Sequence, residues 1–179
     1  AGAVLFGVEA YVPALMNYVE RYGIGLALGS KLVAVDGPGR KATFATADGE
    51  VTQDFDMLHV VPPQVAPDFI RQSPLAAPES GFVEVDEFTL RHKRFPNVFG
   101  LGDGCSAPNA KTAAAARKQA PIVAVNGLAV LAGGEPVAAY DGYGSCPLTV
   151  ERGRTVLAEF GYGGKLLPTF PRWLLDGTK

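Results

Sequence analysis

The first part of the chain combines a helical apolar stripe with short alternating runs. The stripe predicts an amphipathic helix over residues 9–22, because its members recur every three or four positions. These members are Tyr11, Leu15, Tyr18 and Tyr22. Strands are predicted at 26–28, 31–35, 41–46, 50–55 and 57–61. Asp48-Gly49 between two of them is a strong hairpin signal, so we expect one helix, a small antiparallel meander and a buried strand.

The rest of the chain places loops and short strands around one long helix. Residues 64–80 are rich in Pro, Ala and Ser, which predicts a loop with one helical turn near 68–72. Short strands are expected at 82–85, 89–91 and 97–101, and a final hairpin at 148–151 and 155–160. A helix should run over about 111–133, kinked or restarted at Pro121 because proline lacks the N–H of the helical ladder. Residues 140–147 are expected to form the loop before the hairpin.

Composition is that of an ordinary folded protein. The 179 residues are 47% hydrophobic and 19% charged, which excludes disorder as the main state. Net charge is −2, and without a basic excess no nucleic-acid partner is expected. The mean hydropathy of +0.14 is slightly high, so some apolar surface should face another domain, a subunit or a lipid surface.

Targeting signals and metal-binding patterns are not found in the sequence. No apolar run is long enough for a transmembrane helix, and the first residues lack the charged region of a signal peptide. Two cysteines and two histidines exclude a disulfide scaffold and a four-cysteine zinc site, and we predict no metal site. His59, in an apolar run, is expected in the core, and His92, in a basic stretch, on the surface. Cys105 is expected to be a small buried side chain.

A predicted strand that runs into Gly102-Asp103 before a helix is the first candidate for chemistry. Glycines let another molecule approach the backbone, and the Asp103 carboxylate can accept hydrogen bonds from a sugar or ribityl hydroxyl. The helix beginning near Lys111 offers free N–H groups, a positive dipole end and a lysine charge. A purely structural turn is an equally good interpretation of this pattern. Gly23-Ile24-Gly25 and Gly100-Leu101-Gly102 both begin like a dinucleotide-binding fingerprint, but neither is followed by the third glycine at the required spacing.

Cys146, in a Gly-Ser-Cys-Pro segment, is the second candidate. A cysteine on a loop becomes a nucleophile or redox thiol if its pKa falls. No lysine or arginine is close to it in sequence, so nothing local lowers that pKa. A small buried hydrophobic side chain is the alternative, and both interpretations stay open at this point.

Four segments resemble known flavoproteins. Residues 95–103, Phe-Pro-Asn-Val-Phe-Gly-Leu-Gly-Asp, with Lys-Thr-Ala-Ala-Ala at 111–115, resemble the flavoprotein disulfide-reductase superfamily. Residues 57–70, and above all Tyr-Asp-Gly-Tyr-Gly-Ser-Cys-Pro-Leu at 140–148, resemble the sulfide:quinone oxidoreductases. The resemblance runs over essentially the whole chain and matches the C-terminal portion of such enzymes.

The resemblance implies an α/β fold that is part of a flavoprotein with two dinucleotide-binding domains. It would keep a Rossmann-like parallel sheet remnant with an antiparallel meander, plus a C-terminal hairpin. Residues 1–80 would be an incomplete second, NAD-type domain, 81–139 the closing segment of the FAD domain, and 140–179 the redox and quinone-side segment. The N-terminal FAD-binding half would be missing, so the chain alone is expected to bind FAD weakly or not at all and to be inactive.

The resemblance also implies an activity. Such enzymes oxidise sulfide to persulfide or polysulfide sulfur through two cysteines and pass two electrons through FAD to quinone. Cys146 corresponds to the second redox cysteine, whereas Cys105 matches neither. Gly102 and Asp103 would hold the ribityl chain, and Lys111 and Thr112 would lie at the helix end that faces the flavin.

The partners implied are sulfide and quinone, and peripheral membrane contact and homo-oligomer formation stay open. The implied location is the periphery of a bacterial inner membrane, with the protein otherwise soluble. Two alternatives remain from the sequence. One is an NADH:quinone dehydrogenase-like flavoprotein with no essential cysteine at 146, and the other is a cofactor-free interaction fragment.

Overall fold

A computed structural model describes residues 2–170. The chain has mixed α/β structure and divides after Pro63 into two compact units, each with one small antiparallel sheet. Within the described residues the only parallel pairing is a single bridge between Val83 and Cys105, so the predicted Rossmann-like parallel sheet is not seen. The boundaries predicted at 80 and 139 stay a prediction, and residues 171–179 of the third predicted segment lie outside the described residues.

The first unit begins with the predicted amphipathic helix. After a 3₁₀ turn at Glu9–Tyr11, helix α1 spans Val12–Arg21. Pro13 is tolerated in the first turn because its missing N–H would have no partner there in any case. Tyr22 is the C-cap of the helix, and Gly23 follows with a φ of +62°, the left-handed conformation that glycine adopts without steric cost.

The predicted meander forms an antiparallel sheet in the order β1-β2-β3. Its strands are Lys31–Asp36 (β1), Lys41–Thr46 (β2) and Gly49–Asp54 (β3). The runs at 26–28 and 57–61 are not strands. His59 lies in the second of these runs and is exposed, so its predicted place in the core is wrong. In this unit the sheet contains only the three strands, and the run around His59 pairs with none of them.

The second unit opens with loops instead of strands. Helix α2 is one turn, Asp68–Arg71, as predicted near 68–72. The expected strands at 82–85, 89–91 and 97–101 are single bridges, because the chain reverses direction every few residues. At one reversal the Asp86 carboxylate accepts hydrogen bonds from the amides of Phe88 and Thr89 and from the Thr89 hydroxyl.

His92 is buried within these loops, so its predicted surface position is wrong. Its Nδ1 accepts hydrogen bonds from the amides of Arg94 and Phe95, at 3.0 and 3.2 Å. A nitrogen that accepts carries no proton, so Nε2 carries it and donates to the Leu75 carbonyl at 3.0 Å. The imidazole therefore supplies backbone hydrogen bonds that a regular sheet would otherwise provide.

A long helix and a hairpin complete the second unit. Helix α3 spans Ala113–Leu131, and the hairpin consists of β4, Gly144–Glu151, and β5, Arg154–Phe160. The helix passes through Pro121 without a break, so the predicted restart is wrong. Pro121 and Arg117 are exposed, and solvent can bind the Arg117 carbonyl that proline leaves without a donor. No helix among residues 2–170 has the length and apolar character to cross a membrane.

The core of the second unit lies where helix α3, the loops before it and the hairpin meet. Its fully buried members are Val85, Leu90, Cys105, Ala107, Tyr140 and Tyr143. Asn126 of helix α3 is also completely buried and makes four hydrogen bonds to backbone groups of Thr89, Val137 and Ala138. This packing fixes helix α3 and the segments next to it, which carry the candidate site residues.

Candidate functional site

The Gly102-Asp103-Gly104 segment forms a 3₁₀ turn that is hydrogen-bonded to helix α3. Gly102 has a φ of +66°, and its N–H donates to the side-chain oxygen of Gln119 at 2.6 Å. Gln119 is only 1% exposed, so this contact anchors the turn in the interior. The Asp103 carboxylate remains exposed and is available to a ligand.

Asp103 and Lys111 line one pocket of about 290 Å³, together with Gln64, Val65, Pro67, Phe82 and Gly104. The Lys111 ammonium lies 4.4 Å from the centre of the Phe82 ring and donates to the Cys105 carbonyl at 2.6 Å. These contacts hold the lysine against the pocket wall. The volume is at the lower end for a small-molecule site, which suits part of a large cofactor.

Thr112 is the N-cap of helix α3, so the helix begins two residues later than the sequence predicts. Its hydroxyl accepts a hydrogen bond from the Ala115 amide at 3.2 Å. The amides of the first helical residues have no partner within the helix, and they form the positive end of its dipole. A left-handed glycine, an exposed carboxylate, a lysine and a helix N-terminus thus lie together, and this donor and acceptor set fits an FAD ribityl chain and an electron-rich ring edge.

Cys146 lies on strand β4 and not in the predicted loop, and it pairs with Ala158 of β5. Its side chain is half-buried, and burial raises the pKa of the thiol. Alternate residues of a strand face the same side, so Cys146 shares a face with Gly144. A Cβ on Gly144 would lie 3.5 Å from the Ala110 Cβ and 3.8 Å from the Thr112 hydroxyl. Strand β4 therefore starts beside the N-terminus of helix α3.

Cys105 is fully buried, as the sequence predicts. Its thiol donates to the Gly102 carbonyl at 3.3 Å, so it packs beneath the glycine turn. Among residues 2–170, no three His, Cys, Asp or Glu side chains form a group that could hold a metal ion.

Sequence reasoning missed a buried polar network beside strand β4. The Tyr143 hydroxyl donates to the Glu159 carboxylate at 2.5 Å, and Thr169 donates to the same carboxylate through its amide and hydroxyl. Burial opposes ionisation of Glu159, but these hydrogen bonds outweigh it and place the pKa of the carboxyl below its usual value. In the sequence the Tyr-Asp-Gly-Tyr segment is distinctive only because it resembles a known family. Its residue spacing does not indicate that Glu159 is its hydrogen-bond partner.

The chain is similar in sequence to several known proteins. No family model matches the chain. Mitochondrial sulfide:quinone oxidoreductases are similar to it: that of Dictyostelium discoideum is 41% identical over 171 residues, that of Mus musculus 39% over 170, and that of Schizosaccharomyces pombe 40% over 180. These alignments cover 96%, 93% and 97% of the chain. All three names specify mitochondria, so these relatives give no support to the bacterial location expected from the sequence.

A solved structure is similar as well. A chain in the cryo-EM structure of the Tetrahymena thermophila mitochondrial ATP synthase superposes with a TM-score of 0.77 and 28% identity, over 93% of this chain and 40% of that one. The chain spans only 38–39% of the length of the three oxidoreductases. Over nearly its whole length the chain is therefore similar in sequence to sulfide:quinone oxidoreductases, and it matches the C-terminal portion of these proteins.

Proposed function

We propose that the chain is part of an FAD-dependent enzyme that oxidises sulfide and reduces quinone. The observation that carries this proposal is the 39–41% identity to three sulfide:quinone oxidoreductases over nearly the whole chain. The complete enzyme would have two dinucleotide-binding domains, with residues 1–80 in the NAD-type domain and 81–139 closing the FAD domain. The remaining segment, from residue 140, would carry the redox cysteine.

FAD would be held on this chain by the residues around the pocket of Asp103 and Lys111. Asp103 would accept hydrogen bonds from ribityl hydroxyls, and Gly102 would let the cofactor approach the backbone. Lys111 and the first amides after Thr112 would complement the electron-rich edge of the ring. When bound, FAD supplies a two-electron acceptor that passes electrons on to quinone.

Cys146 would carry sulfur together with a second cysteine outside this chain. Hydrosulfide attack on a disulfide between them forms one new S–S bond, breaks the old one and releases the other cysteine as a thiolate. The two electrons that sulfide loses when it becomes persulfide sulfur are then held by the released thiolate. From there they would pass to FAD. Because burial raises the pKa of Cys146, the thiol is mainly protonated in this chain at neutral pH. The rest of the enzyme must therefore help to ionise it.

The chain by itself is expected to be inactive and to retain FAD weakly. The family's fingerprint for the FAD pyrophosphate is not among its residues, so the main anion site is lacking. The purified chain should show flavin absorbance far below one equivalent. Flavin copurifying at nearly one equivalent would contradict this part of the proposal.

Two cysteine variants of a complete enzyme that contains this chain test the activity. Cys146→Ser should abolish sulfide-dependent quinone reduction, while Cys105→Ser should keep most of it because Cys105 is buried beneath the glycine turn. The measurement is the rate of quinone reduction with sulfide and, separately, with NADH. Near-normal sulfide turnover in Cys146→Ser, or activity with NADH alone, would favour an NADH:quinone dehydrogenase instead.

A further inference from the structure

We propose that Tyr140 is a positioning residue whose hydroxyl fixes the start of strand β4, and with it Cys146, against residues 109–112 on the cofactor side. This inference rests on the proposed function, because it assigns Tyr140 the task of setting where the thiol lies relative to the FAD-binding residues. The contacts that carry it are on this chain alone. We call the set Asn109, Tyr140 and Tyr143 the tyrosine latch.

The Tyr140 hydroxyl is hydrogen-bonded to groups from both segments, and the Gln119 side chain of helix α3 also lies within hydrogen-bonding reach of it. It accepts a hydrogen bond from the Asn109 side-chain amide at 2.8 Å and donates to the Tyr143 carbonyl at 2.5 Å. Tyr140 is 2% exposed, and burial raises the pKa of its hydroxyl to about 12. The hydroxyl is therefore protonated at neutral pH and can donate to the Tyr143 carbonyl.

Each side of the latch is tied to a candidate site element. On one side, Asn109 also donates to the Ala110 carbonyl at 3.1 Å and stands two residues before Lys111. On the other side, Tyr143 directly precedes strand β4, and its N–H donates to the Asp141 carboxylate at 3.1 Å. The two sides come close at Gly144, where an added Cβ would lie in van der Waals contact with Ala110, 3.5 Å from its Cβ and 3.7 Å from its carbonyl oxygen.

Gly142, one of the two residues between the tyrosines, is also constrained. Gly142 has a φ of +80°, and a Cβ on it would overlap the Tyr162 ring. The ring of Tyr162 packs edge-on against that of Tyr140, with centroids 5.8 Å apart. The aromatic rings therefore give this segment its packing, whereas the Tyr140 hydroxyl makes the hydrogen bond to Asn109. Removing the hydroxyl separates these two contributions.

The experiment is alkylation of the folded chain with iodoacetamide, with each cysteine followed by mass spectrometry. Tyr140→Phe removes the latch hydroxyl and keeps the ring. Tyr162→Phe is the matched control, because that hydroxyl also donates to a backbone carbonyl, but the carbonyl is that of Glu87 at 2.6 Å, outside residues 109–112 and 140–146. Cys105, which has no exposed surface, reports global unfolding within the same sample.

Tyr140→Phe should raise the alkylation rate of Cys146 about fivefold, the factor that one net hydrogen bond supports. The rate of Cys105 should stay unchanged, and Tyr162→Phe should change the Cys146 rate by less than about twofold. If Tyr140→Phe does not fold, Asn109→Ala carries the test, with a rise in the same direction. An unchanged Cys146 rate, an equal rise in Cys105 or an equal effect of Tyr162→Phe would overturn the proposal. The assay needs neither FAD nor sulfide, so its failure is distinct from failure of the proposed function.

Discussion

Replacing Asn126 tests how helix α3 is held in the second unit. Its side-chain amide donates to the carbonyls of Thr89 and Ala138, both at 2.9 Å. Its side-chain oxygen accepts from the amides of Val137 and Ala138, at 2.9 and 2.8 Å. All four hydrogen-bonding positions of a fully buried amide are therefore filled by backbone groups. Asn126→Ala removes all of them at once.

The expected loss of stability is roughly 2–3 kcal/mol. Four hydrogen bonds at a net value of about 1 kcal/mol each give about 4 kcal/mol. Val137 is 76% exposed, so in the variant water can replace the hydrogen bond made by its amide. The better helix propensity of alanine further reduces the loss of stability by about 0.5 kcal/mol. For a unit of this size the remainder corresponds to a fall in Tm of about 10 °C.

Thermal and urea unfolding followed by circular dichroism measure this loss, with Val125→Ala as the control. Val125 is the neighbouring residue on helix α3 and is 45% exposed, so its replacement should change stability by less than about 0.5 kcal/mol. Asn126→Asp keeps the oxygen that accepts from the amides of Val137 and Ala138. Its second oxygen replaces the NH2 group and faces the carbonyls of Thr89 and Ala138. The introduced carboxyl should have a raised pKa in the folded state, so this variant should regain stability as the pH falls. Equal losses for Asn126→Ala and Val125→Ala, or Asn126→Asp most stable at high pH, would refute the reasoning.

Three further predictions concern the site residues. In a complete enzyme Asp103→Ala should weaken FAD binding about ten- to a hundredfold, the value of a charge-assisted hydrogen bond, with little change in the Tm of the apoprotein; unchanged flavin occupancy would mean that the carboxylate only shapes the turn. Because burial raises the pKa of Cys146, alkylation at pH 8 should be slower in the folded chain than in urea, and an equal or faster native rate would contradict this. The pKa of Glu159 is lowered in the folded state, so its stabilisation is complete above the pKa of an unfolded glutamate and is lost as the pH falls through the folded value. Urea unfolding at a series of pH values should therefore show that the free energy of unfolding of Glu159→Gln falls less on acidification than that of the unchanged chain. An equal fall in both would argue against a stabilising carboxylate.

Local pattern alone determined the regular elements of this protein. Helix α1, the meander of β1 to β3 and the final hairpin lie close to where the sequence predicts them, because periodicity and turn residues act within a few positions. The Asp48-Gly49 signal lies at the turn that joins β2 and β3. The same local reasoning identified Gly102, Asp103 and Thr112 as residues around a turn and a helix start.

Tertiary structure decided what distant partners control. The two histidines exchanged their predicted environments, because His92 finds the Leu75 carbonyl 17 residues away while the segment of His59 pairs with no strand of its unit. Cys146 belongs to a strand because Ala158 pairs with it across the hairpin. The tyrosine latch joins Asn109 to Tyr140 over 31 residues. Periodicity records which side of its own element a residue occupies, but a buried polar group is stable only when a partner is present, and that partner is known only once the chain has folded.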